Sequence, residues 1–364
     1  MPIINPAITA HQPMTYATDQ EVPRDALDCS LGINPYGCSP RVQEALREIT
    51  IGDLSDYPHG TGLRDDLAAH WAPHAALDKE QIVLGNGSVQ LLININRLFL
   101  APGRRSLGVV PGFSAYTDDV GISGAKFNGI HFTPDMSSAQ LVAALLEGME
   151  RYEPDLICLE NPNNPTGQAL ELAEVEAIVA GADALGIPIL VDEAYGDYLP
   201  DAQSAICLLP RYEWLMVTRT FSKGMGLAGF RLGYAAVHRP VAEALLKTGS
   251  AYDGNGPGRI LARAALADRD FAQQTLARVQ ADKARLLAVL HNIKAYPTHP
   301  NVPIMALSTE QDVDLYAHLL NHGINAVPGA SFETIGMRGV RLIVHRNIEE
   351  QVRRLSAADT ALGK

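Results

Sequence analysis

Between residues 81 and 237, short apolar runs rich in branched side chains recur: QIVLG (81–85), LGVV (107–110), DLICLE (155–160), GIPILVDE (186–193), EWLMVTR (213–219) and RLGYAAV (231–237). Runs of this length and composition predict strands. Helical spacing of apolar positions falls between most of them, as in SVQLLININRLFL (88–100) and LELAEVEAIVAGADALG (170–186). Strand alternating with helix predicts an α/β fold in which a mostly parallel sheet is flanked by helices on both faces. Loops leaving the carboxyl ends of such strands hold any ligand.

After about residue 250 the pattern changes. YDGNGPGR (252–259) is a glycine-rich break, and a long helical pattern runs from Ile260 to near Asn292. The turn YPTHPNVP (296–303) and a last strand-and-helix section ending in GVRLIVHRNIEEQVRRL (339–355) follow. This organisation predicts a large central domain over 46–253 and a smaller α+β domain formed by 1–45, with an N-terminal arm, and 254–364. No internal repeat is visible.

Composition narrows the class. A chain of 364 residues that is 47% hydrophobic can bury a sizeable core,. The net charge of −12, with no basic run of five residues, argues against a nucleic-acid partner,. The longest apolar runs are broken by polar residues well short of a membrane span, and MPIINPAITAHQP lacks a basic region followed by a long apolar stretch, so a soluble cytoplasmic protein is expected,. Cys29, Cys38, Cys158 and Cys207 form no C-x-x-C pair and read as small buried apolar residues,. The histidines show no ligand spacing, so no metal site is expected,.

Four loops at strand ends carry chemistry. GNGS (85–88) turns from a strand into a helix, and the free N–H groups of a helix start suit an anion such as phosphate,. ENPNNPTG (160–167) is a proline-stiffened loop able to hold the amide of Asn164 in one orientation,. In VDEAYGDY (191–198), Asp192 ends an apolar strand, and a carboxylate there requires a cation or donor opposite it,. In VTRTFSKGMGLAGFRLGY (217–234), Lys223 stands between hydroxyl side chains and glycines. Burial beside another cation lowers a lysine pKa and frees the amine to attack an aldehyde, while Thr220, Ser222 and Arg231 suit phosphate oxygens. Gly224, Gly226 and Gly229 spell G-x-G-x-x-G, but a strand rather than a helix follows them at once, so a dinucleotide site is not expected,.

Together these motifs, in this order and approximate spacing, resemble the fold-type I pyridoxal-phosphate enzymes. CSLGINPYGCSP, DYPHGTGLRDDLA and GNGSVQLL are similar to the branch that contains histidinol-phosphate aminotransferases and threonine-phosphate decarboxylases. The resemblance implies pyridoxal 5′-phosphate as cofactor, linked covalently to Lys223, which also moves the proton during catalysis. It implies Asp192 against the protonated ring nitrogen, Asn164 and Tyr195 on the ring hydroxyl, and Phe113 stacked on the ring. Ser88, Val89, Thr220, Ser222 and Arg231 would hold the phosphate. Tyr57 would reach the phosphate of a neighbouring subunit, which implies a homodimer. Arg341 and, more weakly, Tyr16 would contact the substrate.

Departures from that pattern bear on the substrate. The region NAVPGASFETIG (325–336) lacks the second arginine that binds substrate phosphate in histidinol-phosphate aminotransferases, and Arg338 stands close to Arg341. The H-G-G-N segment of the decarboxylases is also missing. The expectation is an aminotransferase working between an amino acid or amino-alcohol phosphate and a 2-oxo acid or aldehyde. The alternatives are a decarboxylase on the same scaffold and, more remotely, a non-catalytic sensor domain.

Overall fold

The computed structural model describes residues 4–13, 22–60, 62–250 and 252–363. Tyr16 therefore lies outside the described residues. In chain order the strands are β1 (Leu27–Asp28), β2 (Ile82–Gly85), β3 (Arg105–Val110), β4 (Lys126–His131), β5 (Leu156–Glu160), β6 (Ile189–Asp192), β7 (Leu215–Thr220), β8 (Gly233–Val237), β9 (Ile293–Ala295), β10 (Ile304–Thr309), β11 (Ile324–Asn325), β12 (Val327–Pro328) and β13 (Gly339–Ile343).

Seven of them form one sheet in the order β2-β8-β7-β6-β5-β3-β4. β3 to β7 pair in parallel, and β8 runs antiparallel to both of its neighbours. Alternate side chains of the central strands enter two different apolar clusters. Ile157, Ile189, Leu215 and Val217 join one, and Leu156, Cys158, Leu190 and Met216 join the other. Burial on both faces is why these strands read as unbroken apolar runs. A fully buried Leu or Ile contributes about 1.5–3 kcal/mol relative to an exposed one, so these inner strands hold the site's frame rigid.

Strand β4 (AKFNGIHF in the sequence) carries no such run because its edge position leaves it only partly buried. The helical pattern after residue 260 is two helices, Gly256–Leu266 and Arg269–Leu287, separated at Asp268, whose carboxylate accepts the Phe271 N–H at 3.2 Å and starts the second. Leu261, Ala262 and Ala265 of the first pack in the cluster of the large sheet with Leu67 and Trp71, although they follow residue 253 in the chain. A second core gathers the chain's end: Ile304 and Leu342 of the four-stranded sheet β12-β13-β10-β9 cluster with Leu286, Leu355 and Leu362. β1 pairs in parallel with β11, and Ile343 N donates to Cys29 O at 3.1 Å, which binds the N-terminal segment into this second core.

Parallel strand order reverses at β3: the chain runs outward to β4 and then returns to place β5 on β3's other side. A crevice opens at such a reversal, above the carboxyl ends of the strands. The loops after β3, β5, β6 and β7 meet there.

Candidate active site

A cavity of about 210 Å³ occupies that crevice, and its walls include Phe113, Asn164, Asp192, Tyr195 and Lys223. Its far end is closed by the helix Ser88–Phe99, which begins without a side-chain cap at Gly87. The unpaired first-turn N–H groups of that helix, including those of Ser88 and Val89, are a ready anion site. Thr220 and Ser222 are both buried, and their hydroxyls hydrogen-bond at 2.9 Å. Arg231 donates to Ser222 Oγ at 3.3 Å and to Ala228 O at 3.0 Å.

Two glycines make room for this cluster. A Cβ at Gly87, whose φ is +82°, would lie 2.7 Å from Arg231 Nη2, and one at Gly233 would lie 2.8 Å from Ser88 N. Only a bare backbone allows the guanidinium and the helix start to come this close.

At the other end of the cavity the chemistry is acid and amine. Asp192, only 4% exposed, accepts a hydrogen bond from Thr218 Oγ1 at 2.8 Å. Burial pushes its carboxyl up to about 6, against the opposing pull of Thr218 and Lys223, so it is largely ionised at neutral pH,. Lys223 faces the cavity with its Nζ 5.3 Å from the centre of the Tyr195 ring. Burial, and then the positive charges of Arg341 and Arg231, bring its amine down to about 8. A considerable neutral fraction is thus present near pH 7.5, as a nucleophilic amine requires.

Tyr195 is 1% exposed, and the loop that carries it is clamped from behind. Arg219 of β7 donates to Glu193 and Asp197, each at 2.8 Å, and so brackets the tyrosine. Sequence reasoning missed Arg219; an arginine inside a buried apolar strand was the available signal. It also missed Gly32, where a Cβ would stand 2.2 Å from Tyr195 Oη and 3.4 Å from Lys223 Nζ. Glu160 was missed as well, although it ends an apolar strand just as Asp192 does and pairs with it in register.

Arg341 lies on β13 of the second sheet, 2% exposed, and donates to Asn164 Oδ1 at 3.2 Å and to Ser30 O. It therefore reaches Asn164, part of the cavity wall, from the second sheet. Arg338 is exposed and paired with Asp312 at 2.7 Å, directed away from this cluster. Tyr57 is 70% exposed and stacks on Tyr252 with ring centres 4.5 Å apart, at the surface rather than in the cavity.

The cavity fits pyridoxal phosphate: anion donors at one end, a buried carboxylate for a ring cation, and an amine of lowered pKa between them. Residues 24–356 match the family aminotransferase class I and II. The chain belongs to that family. The aminotransferase is 34% identical to the histidinol-phosphate aminotransferase of Roseiflexus castenholzii over 82% of each chain. It is 37% identical to histidinol-phosphate aminotransferase 2 of Methylococcus capsulatus over 70% of this chain and 69% of that one. A solved histidinol-phosphate aminotransferase from Sinorhizobium meliloti, in complex with pyridoxal-5′-phosphate, superposes with a TM-score of 0.79 at 24% identity, covering 99% of this chain and 97% of that one. The aspartate aminotransferase of Thermus thermophilus, as a double mutant, gives 0.83 at 20% identity over the whole of both chains. The protein is a fold-type I, pyridoxal-phosphate-dependent aminotransferase similar to the histidinol-phosphate aminotransferases. Among the described residues, no helix is long and apolar enough to cross a membrane.

Proposed function

We propose that this aminotransferase moves an amino group from a carboxylate-bearing amino acid to a 2-oxo acid or aldehyde, with Lys223 as the catalytic amine. The observation that carries the reading is the single cavity that joins Lys223, Asp192 and the uncapped start of the helix Ser88–Phe99. Bound pyridoxal phosphate supplies an aldehyde that condenses with amines and a ring that accepts the electrons left when a proton leaves the substrate's α-carbon.

The chain's own residues do the rest. Ser88 and Val89 amides, with Thr220, Ser222 and Arg231, would bind the phosphate. Phe113 covers one ring face. Asn164 and Tyr195 orient the ring hydroxyl. Asp192 keeps a proton on the ring nitrogen, because a buried carboxylate without a cation opposite it costs several kcal/mol. Lys223 Nζ would hold the cofactor's aldehyde carbon and, as a neutral amine, would take the proton from the substrate's α-carbon.

Arg341 gives the substrate end its preference. A buried guanidinium offers a bidentate match to a carboxylate. Its neighbour Arg338 is exposed and engaged with Asp312, which supports a carboxylate donor ahead of an amino-alcohol phosphate such as the substrate named for the relatives. A second copy of the chain completes the phosphate site through Tyr57. Ile51, Leu54, Tyr57 and Tyr252 are all exposed, and such a neighbouring apolar set supports a homodimer,.

The test is the half-reaction on purified enzyme with glutamate, alanine and histidinol phosphate. A borohydride-reducible band that a carboxylate donor converts to the amine form of the cofactor is expected, with Lys223→Ala binding cofactor non-covalently and losing turnover. Turnover by that variant, or conversion by histidinol phosphate alone, would overturn the respective part of the reading.

A further inference from the structure

Glu160 is the last residue of β5, at the point where the strand order reverses. Its side chain turns back under the crevice and binds two loops at once. Oε1 accepts the N–H of Phe113 at 2.6 Å, and Oε2 accepts the N–H of Asn164 at 3.2 Å. Phe113 follows β3 and Asn164 follows β5, so the two loops diverge on either side of the reversal.

We propose that Glu160 is a positioning residue for the cofactor: a clip that fixes the distance between the ring-covering Phe113 and the ring-orienting Asn164. The proposal rests on the roles assigned above to those two side chains. Three observations carry it. First, each carboxyl oxygen accepts from the backbone N–H of a cavity-lining residue, which ties the side chain to both loops at once. Second, the fit is close: a Cβ added at Gly112 would lie 2.6 Å from Val109 O and 3.0 Å from Glu160 Oε1, so the carboxyl and the backbone both crowd this turn. Third, the clip continues to the substrate end, because Asn164 Oδ1 accepts from Arg341 at 3.2 Å.

Burial, and the charge of Asp192 beside it in register, raise the Glu160 carboxyl to about 8, while the two backbone donors pull the other way. The ionised form is the one that accepts at both oxygens, so the clip itself opposes the rise that burial imposes,.

The test compares Glu160→Met, of similar length but without acceptors, with Glu160→Gln, which keeps one. Apoenzyme is titrated with pyridoxal phosphate, and affinity, the visible circular dichroism of bound cofactor and the KM for the amino donor are read. Expected for Glu160→Met are a cofactor dissociation constant raised about tenfold, as loss of about 1.4 kcal/mol of positioning gives, a weaker dichroic band and a raised donor KM. Glu160→Gln falls between, at about threefold. The thermal melt of each apoenzyme separates positioning from global unfolding. Glu160→Met with wild-type affinity and dichroism overturns the proposal. If that variant does not fold, Glu160→Gln decides: wild-type affinity and dichroism there also overturn it. Failure of the wild type to form a reducible band would instead refute the role of Lys223, a separate outcome.

Discussion

Gly32→Ala is a perturbation whose effect can be worked from geometry. The backbone at Gly32 is outside the left-handed region, so alanine carries no conformational penalty there and only the methyl matters. That methyl would lie 2.2 Å from Tyr195 Oη, an overlap of more than about 1 Å against an ordinary contact near about 3.5 Å,. Neither side can yield easily. The tyrosine ring is 1% exposed and stacks on Tyr198 at 6.2 Å. The segment around Gly32 is held by Cys29 N to Asn325 O at 2.8 Å, Asn34 Nδ2 to Gly224 O at 2.7 Å and Tyr36 Oη to Asp282 at 2.8 Å. Overpacking a rigid site costs about 1–3 kcal/mol. Taking about 2 kcal/mol, and placing it where substrate must enter beside Lys223, kcat/KM for the preferred donor should fall about 30-fold. Removing the hydroxyl isolates the cause. In a Tyr195→Phe background the nearest ring atom is Cζ at 3.5 Å, an ordinary contact, so Gly32→Ala should then cost almost nothing. The assay is a double-mutant cycle on half-reaction rates, with a coupling of about 2 kcal/mol expected. Equal losses in the two backgrounds, or a loss of under about twofold in the wild type, which is within about 0.5 kcal/mol, would refute the reasoning.

Three further changes follow from the same geometry. Asp192→Asn removes the buried charge and should weaken apoenzyme affinity for pyridoxal phosphate at least about tenfold at pH 7.5, a loss of about 1.4 kcal/mol; because the wild-type carboxyl titrates near 6, the difference should narrow as the pH falls through that value. Arg341→Ala takes away one of the cations that hold Lys223 down, so the midpoint of the pH-rate profile for cofactor capture should move up from about 8; a downward move or none would contradict the assignment. Lys283, 1% exposed, donates to Thr298 Oγ1 at 2.6 Å, Val302 O at 2.7 Å, His299 O at 2.8 Å and Ile304 O at 3.1 Å. Lys283→Met removes this shared donor, although His299 O keeps Val302 N at 3.2 Å and Ile304 O keeps Thr298 Oγ1 at 3.4 Å, and should cost about 3 kcal/mol, read by denaturant unfolding of the apoenzyme,. Burial lowers this amine to about 7 from 10.5, so the unfolded chain holds the extra proton between those values and wild-type stability should rise with pH there,. The variant should lack that slope.

Much of the fold is legible in one dimension because it depends on local pattern. Apolar runs flanked by helical spacing mark strands buried on both faces, and they identify β2, β3, β5, β6, β7 and β8. β4 was not legible, since an edge strand needs no continuous apolar run. Lys223, Asp192, Asn164 and the GNGS turn were legible because loops after strands must justify any charge or glycine they carry, and the loops of a parallel sheet converge at one edge.

Long-range contacts were not legible. Nothing near Gly32 in the chain announces that it faces Tyr195 and Lys223, since its small size is explained only by an atom brought to it from a distant loop. The helix Gly256–Leu266 joins the large sheet's core because its apolar face meets Leu67 and Trp71, a choice that its own periodicity cannot express. Of the two nearby arginines, tertiary packing buries Arg341 against Asn164 and leaves Arg338 outside with Asp312. By itself, the sequence determined the class of fold and the loops at its strand ends, because each follows from residue type and spacing, and the resemblance of its motifs to a known family implied the cofactor. Which glycine leaves room for a hydroxyl, which carboxyl joins two loops and which arginine is buried against Asn164 were decided only in three dimensions, where desolvation and steric exclusion act between residues far apart in the chain.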